Sequence, residues 1–293
     1  MSKYTDADMN NTSIPKEAIA IYNKAFELAA NGDEHAAIEE YKLAIENYPD
    51  FIEARNNLGE LYSQMGESDK AIAAYHDALS YSTNYRLFYN LGLEYFKAER
   101  EEEALSYFVR SATEAADFAD GNYHAGLIFY SRENFEAAER YLSAVVRTEP
   151  KNLKSNYMLS FIYYTNKQYD KAVECLDRIK DIADDTTFMN KYYGFCHYHL
   201  GNYSLAIEYL TATLETQPEY AKFKAYLESL TYENKVREIG GDVDEAIREM
   251  EEKMAEIEKS LTGTSRLSML YIFKGENQKA ERILLDYKER LAS

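Results

Sequence analysis

The chain is 293 residues long and carries 51 acidic against 33 basic side chains, for a net charge of -18 and a pI near 4.8. That charge repels phosphate backbones and acidic membrane surfaces, and no apolar run approaches the roughly 20 residues of a spanning helix, so nucleic-acid binding and membrane insertion are excluded as general functions. Only 12 glycines and 4 prolines suit an all-helical chain, and the 2 cysteines, Cys175 and Cys196, read as reduced thiols packed as small apolar groups.

Taken in chain order, Met1 to Ser13 is polar and has no signal-peptide core. It is expected to be a disordered tail reaching residue 15 of a cytoplasmic protein, with Pro15 opening the first helix. A beat then begins. Ala37, Ala71, Ala104, Ala138, Ala172, Ala206, Ala246 and Ala280 are separated by 34, 33, 34, 34, 34, 40 and 34 residues. Four residues after each stands an apolar side chain: Tyr41, Tyr75, Phe108, Leu142, Leu176, Leu210, Met250 and Leu284. Gly59, Gly92, Gly126 and Gly194 lie twelve residues before one of those alanines, and Ala25 and Ser160, also small, hold the same place in two further copies. Pro49, Pro150 and Pro218 lie twelve residues after, where a residue that cannot continue a helix ends one unit. Small residues belong where two helix backbones approach closely. The spacing Ala71, Tyr75, Ala78 puts all three on one helical face. A period near 34 therefore predicts one helix-turn-helix unit stacked repeatedly.

The first six units read as residues 18–51, 52–84, 85–118, 119–152, 153–186 and 187–220. The seventh alanine arrives six residues late. With no turn signal between Ala221 and Ile239, the extra length is assigned to a longer first helix. Gly240-Gly241-Asp242 then makes a turn, with Asp242 and Glu245 as N-cap and capping-box partner. Val243, Ala246, Ile247, Met250, Met254, Ile257 and Leu261 form one apolar stripe. Thr262-Gly263-Thr264 is read as the next break, and a last pair runs around Leu267–Lys274 and Asn277–Leu291. The expected organisation is a tail over 1–15, regular repeats over 16–220, and a divergent seventh repeat with a C-terminal cap over 221–293.

The second unit, with Asn57-Leu58-Gly59, Tyr62, Gly66, Ala71-Ile72, Tyr75 and Ala78-Leu79, resembles the tetratricopeptide repeat family. Asn90-Leu91-Gly92 with Tyr95, Ala104 and Phe108, and Tyr193-Gly194 with Gly201, Ala206 and Leu210, repeat the pattern, which covers roughly residues 18 to 293. The resemblance implies an all-α, right-handed superhelical solenoid of about eight antiparallel helix pairs. It also implies a non-enzymatic scaffold or adaptor that binds a peptide or helical segment of a partner along the first helices. Self-assembly through the end repeats, which present Ala18, Ile19, Ile21 and Tyr22 at one end and Ile283, Leu284 and Tyr287 at the other, is the alternative, beside a chaperone-like holder of a client. One branch of the family clamps a C-terminal carboxylate, but here its five positions hold Tyr22, Phe26, Asn57, Arg86 and Asn90. Only Asn57 and the basic Arg86 fit, so the sequence argues against that clamp.

Side-chain chemistry points the same way. No glycine-rich phosphate loop and no nucleophile-base pair stands out, and the acidic runs Glu99–Glu103 and Glu249–Glu258 read as solvated faces. Cys196 and His199 share a helical face with Cys175 as a neighbour, yet a zinc site needs a fourth ligand. No catalytic residue, cofactor or metal is expected. Carrying the family's groove positions onto units two to six gives 25 residues, ten of them aromatic, or 40% against 14% for the chain, with four basic side chains against three acidic. The partner-binding residues assigned on this basis are Arg86, Tyr89, Phe96 and Lys97, then Tyr123 and Tyr130, then Lys154, Tyr157, Phe161 and Tyr164, then Lys191, Phe195 and Tyr198. Tyrosine offers a rigid apolar face and a hydrogen-bonding tip, which suits a protein or peptide partner with apolar anchors and some acidic side chains. Tyr62, Tyr95 and Tyr163 are assigned to the core.

Overall fold

A computed structural model of the chain describes residues 3–5, 12–184, 186–216, 243–252, 263–264, 267–268, 270–271 and 276–292. Among them the regular structure is entirely α-helical. The chain divides into two compact units, residues 1–155 and 156–293.

The first unit holds α1 (Lys16–Ala30), α2 (Glu34–Asn47), α3 (Ile52–Gln64), α4 (Ser68–Leu79), α5 (Tyr85–Lys97), α6 (Glu101–Glu114), α7 (Ala119–Ser131) and α8 (Phe135–Thr148). Each odd-numbered helix packs on the even-numbered one after it, and each pair stacks on the next through α2 on α3, α4 on α5 and α6 on α7. α9 (Leu153–Thr165) spans the boundary at residue 155. The second unit continues with α10 (Tyr169–Ile179), α11 (Thr187–His199), α12 (Tyr203–Thr216), α13 (Val243–Glu252) and α14 (Asn277–Ala292). There α10 packs on α11 and α11 on α12.

The turn inside each pair has one geometry. Gly32, Gly66, Glu99, Glu133, Lys167 and Gly201 all have φ between 57° and 82°, and each lies five residues before a periodic alanine. The residue after each donates its N–H back to a carbonyl near the helix end, as Glu67 does to Tyr62 and Arg100 to Tyr95, both at 2.9 Å. This left-handed C-terminal cap satisfies carbonyls that the helix leaves open and reverses the chain in a few residues.

Packing explains the beat. Ala37, Ala71, Ala104, Ala138, Ala172 and Ala206 are all 0% exposed. The larger residues four further on, Tyr41, Tyr75, Phe108, Leu142, Leu176 and Leu210, are buried too, and burial of each such side chain stabilises the fold by about 1.5–3 kcal/mol. They lie against the small residues of the preceding helix. A Cβ placed on Gly59 would sit 2.5 Å from the Tyr75 ring, and one on Gly194 would sit 2.5 Å from Leu210. Glycine is therefore required there by the distance between helices rather than by its backbone freedom.

In the second unit, Ile247, Leu267, Leu270, Tyr271 and the last periodic alanine, Ala280, form a buried cluster with Met250 and Ile283 against it. Leu284 and Leu285 on α14 are 40% and 50% exposed. At the other end Ala18, Ile19 and Tyr22 are buried and Ile21 is half-buried. Gly263 and Thr264 are helical and Thr264 is buried, so the break expected across Thr262–Thr264 does not run through them. The buried Thr264 packs as a helical residue, which outweighs the turn preference of the Thr-Gly-Thr sequence. The lengthened helix over Ala221–Ile239, the Gly240-Gly241-Asp242 turn with its cap, and Met254, Ile257 and Leu261 of the stripe lie outside the described residues.

Candidate binding face

In the first unit, α5 places Arg86, Tyr89, Phe96 and Lys97 along one stripe, and α7 places Tyr123 and Tyr130 on the equivalent face. None of these six is buried: Tyr89, Tyr123 and Tyr130 are half-buried, Arg86 and Lys97 are exposed, and Phe96 is 40% exposed. His124 ties the two helices together. Its ring stacks on Phe108 at 4.9 Å and meets Tyr89 at 5.5 Å, Tyr123 at 5.2 Å and Phe96 at 6.4 Å. Tyr89 also meets Phe118 edge-on at 5.2 Å. Tyr130 sits 5.9 Å from Phe135. The ammonium of Lys154, exposed at the start of α9, lies 6.0 Å from the Tyr123 ring centroid, at the outer range of a cation–π contact.

The second unit has its own aromatic row. Tyr157 meets Phe188 at 5.0 Å and Phe188 meets Tyr192 at 4.4 Å; Tyr192 in turn meets Phe161 at 5.9 Å and Tyr164 at 5.2 Å. Tyr164 continues to Phe195 at 6.1 Å, and Tyr198 lies 5.8 Å from Tyr203. Tyr157, Phe161, Tyr164, Phe195, Tyr198 and Lys191 are all half-buried. The Lys191 ammonium lies 5.5 Å from the Tyr192 ring centroid. Tyr192, only 9% exposed, is the hinge of this row and is absent from the sequence-assigned set. Its groove-facing neighbours share its helical face, but nothing in its own position within the repeat distinguishes it from a core tyrosine. Tyr95 and Tyr163 are buried as core residues, whereas Tyr62 is half-buried beneath Lys70, whose ammonium is 5.5 Å from its ring.

The electrostatics keep these groups in their neutral, hydrogen-bonding form. Burial pushes the Tyr89 phenol up to about 12, with the Asp120 carboxylate adding to it. Burial also raises Tyr123, Tyr130 and Tyr164. Lys97 is held rather than free: its ammonium lies 2.7 Å from Glu94 and 2.7 Å from Ser63. Glu94 is buried, which raises its pKa, but hydrogen bonds from Lys97, Ser63 and Ser68 outweigh that and hold the carboxyl below its ordinary value. Cys175 and Cys196 are buried free thiols, and burial drives Cys196 up to about 12, far from the nucleophilic thiolate. His199 stacks flat on Tyr169 at 4.3 Å. Among the described residues no three His, Cys, Asp or Glu side chains converge as a metal site.

A second feature has a different character. Tyr22, Ile52, Glu53, Asn56, Asn57, Glu60, Asn84, Tyr85, Arg86 and Leu87 line a pocket of about 250 Å³ between the first helices of units one to three. Asn56 donates to Glu60 at 2.8 Å, Asn90 donates to Asn56 at 2.9 Å, and Asn57 donates to the Tyr22 hydroxyl at 2.7 Å. Of the assigned residues only Arg86 lies here. The signal was present in the sequence, since Glu53, Asn56 and Glu60 occupy groove positions, but aromatic enrichment drew the assignment elsewhere.

Three family models described as tetratricopeptide repeat match residues 40–73, 85–117 and 129–187. With the packed helix pairs and the eightfold alanine beat, they show that the chain belongs to the tetratricopeptide repeat family. Among solved structures, pilF of Pseudomonas aeruginosa is 18% identical with a TM-score of 0.53 and covers 72% of this chain and 98% of its own, a likeness of fold. YrrB, described as "a TPR protein with an unusual peptide-binding site", is 23% identical at a TM-score of 0.48, covering 62% of this chain and 93% of its own. MamA of Desulfovibrio magneticus RS-1 is 17% identical at a TM-score of 0.48, covering 58% and 97%. No curated protein matches the sequence.

Proposed function

We propose that this chain is a non-enzymatic adaptor that holds a peptide or helical segment of a partner protein against the aromatic faces of its first helices. The observation that supports it is the partly exposed rows Tyr89–Phe96–Tyr123 and Tyr157–Phe161–Tyr164, presented on packed helices. Partly exposed aromatic rows on a fixed backbone supply apolar anchoring at low entropic cost, while their hydroxyls set register. Arg86, Lys154 and Lys191 stand beside these rows in a chain of net charge -18, so a partner with acidic residues between apolar anchors is favoured. Two buried thiols agree with a reducing compartment, and no helix among the described residues is long and apolar enough to cross a membrane.

Selection of binders from a displayed peptide library tests the reading. Peptides rich in apolar and acidic residues are expected, and Tyr123→Ala, Tyr157→Ala and Phe161→Ala together are expected to weaken them by about 100-fold or more, as loss of two or three interface anchors does. A triple variant that keeps its helical circular dichroism and binds undiminished would sink the proposal; one that unfolds would reassign these rings to the core.

A further inference from the structure

The N-terminal stretch contributes a contact that the repeat pattern does not account for. Asn23 on α1 is 8% exposed, and its carboxamide pairs with both backbone groups of Tyr4: the Tyr4 N–H donates to Oδ1 at 3.0 Å, and Nδ2 donates to the Tyr4 carbonyl at 3.0 Å. A side-chain amide that binds the N–H and C=O of one residue reads an extended strand regardless of its sequence. Side-chain contacts then add selectivity. The Tyr4 ring meets Tyr22 edge-on at 5.4 Å and Phe51 at 6.0 Å, and Lys3 forms an ion pair with Glu27. Tyr22, buried in the first repeat, also lines the polar pocket between the first helices. Lys3–Thr5 therefore sits where a bound peptide would begin.

We propose that Lys3–Thr5 is an internal ligand that closes the first-repeat end of the binding face, and that an extended partner segment carrying an aromatic residue preceded by a cation displaces it. The inference rests on reading the first helices as a peptide surface, but it depends on Asn23, Tyr22 and Glu27 rather than on the aromatic rows. A tether of this length holds Tyr4 at an effective concentration on the order of 1 mM, so a site with an intrinsic Kd of about 0.1 mM is closed in about nine molecules of ten. Opening it should strengthen the apparent affinity for an added strand about tenfold.

The probe is a synthetic peptide of residues 1–13, fluorescently labelled at its C-terminus and added to the full chain. Lys3→Ala with Tyr4→Pro removes the ion pair, the ring and the N–H donor, and is expected to bind the probe about tenfold more tightly than the wild type. Adding Asn23→Ala to this opened variant is expected to abolish binding with helicity unchanged. Equal affinity of wild type and opened variant, no binding to either, or undiminished binding after Asn23→Ala would each overturn the proposal. The aromatic-row variant Tyr123→Ala, Tyr157→Ala, Phe161→Ala leaves these contacts in place, so a failure here and a failure of the adaptor reading are separable.

Discussion

Gly59→Ala is the sharpest test of how the repeats are packed. An alanine in a helix interior is ordinarily more stable than glycine by about 0.8–1.0 kcal/mol. Here the new Cβ would lie 2.5, 2.7 and 2.9 Å from three atoms of the Tyr75 ring, distances at which something must shift. Tyr75 is only 2% exposed, so the ring has no open space to turn into. Overpacking of this kind costs about 1–3 kcal/mol. Subtracting the propensity gain leaves a net loss of about 1 kcal/mol, up to about 2. The first repeat supplies the control, because Ala25 occupies the equivalent position and is itself 0% exposed. Ala25→Gly should cost about 1 kcal/mol through lost helix propensity. Opposite substitutions at equivalent positions are thus both destabilising. Urea unfolding followed by circular dichroism reads both. If Gly59→Ala were more stable than the parent by 0.5 kcal/mol or more, the claim that interhelix distance dictates the glycine would be wrong.

Two further outcomes follow from the structure. Glu99, Glu133 and Lys167 adopt the left-handed conformation at φ 58°, 57° and 59°, which costs a non-glycine residue about 1–2 kcal/mol. Glycine there relieves that strain but adds about 0.4–1 kcal/mol of unfolded-state entropy, so each substitution should stabilise by about 0.5–1 kcal/mol, seen as a higher urea midpoint. The Glu94 carboxyl is buried but held below its ordinary pKa by Lys97, Ser63 and Ser68. A depressed folded-state value means stability that is fully present above the unfolded value of about 4.3 and lost as pH falls through the folded value. The stability difference between wild type and Glu94→Gln should therefore shrink steadily below about pH 4.3; a difference that stays constant from pH 7 to pH 3 would show that the charge has no part in it.

The fold was legible because its determinants are periodic in the chain. The starts of α3, α5, α7, α9 and α11 at Ile52, Tyr85, Ala119, Leu153 and Thr187 coincide with the repeat boundaries read from the alanines. Of the candidate site, the sequence supplied the residues, and Tyr89, Phe96, Tyr123, Tyr157, Phe161 and Tyr164 keep some exposure rather than being buried. The pocket's Glu53, Asn56 and Glu60 already stood at groove positions, but that they close a pocket with Tyr22, Asn84 and Tyr85, and that Tyr192 joins the second aromatic row, depends on side chains from neighbouring repeats meeting at a point no single repeat encodes.

By itself, then, the sequence determined the period, the helix pairs and the positions that must be small, since close approach of two helix backbones imposes the same demand in every copy. Only the tertiary structure decided that Tyr75 fills the space above Gly59, that Glu99, Glu133 and Lys167 take the left-handed turn that glycine takes elsewhere, and that Asn23 grips the backbone of Tyr4. The first is a contact sixteen residues apart, the last nineteen. The left-handed turn at residues with no preference for it is imposed by the packing of the two helices it joins, which outweighs a local cost of about 1–2 kcal/mol.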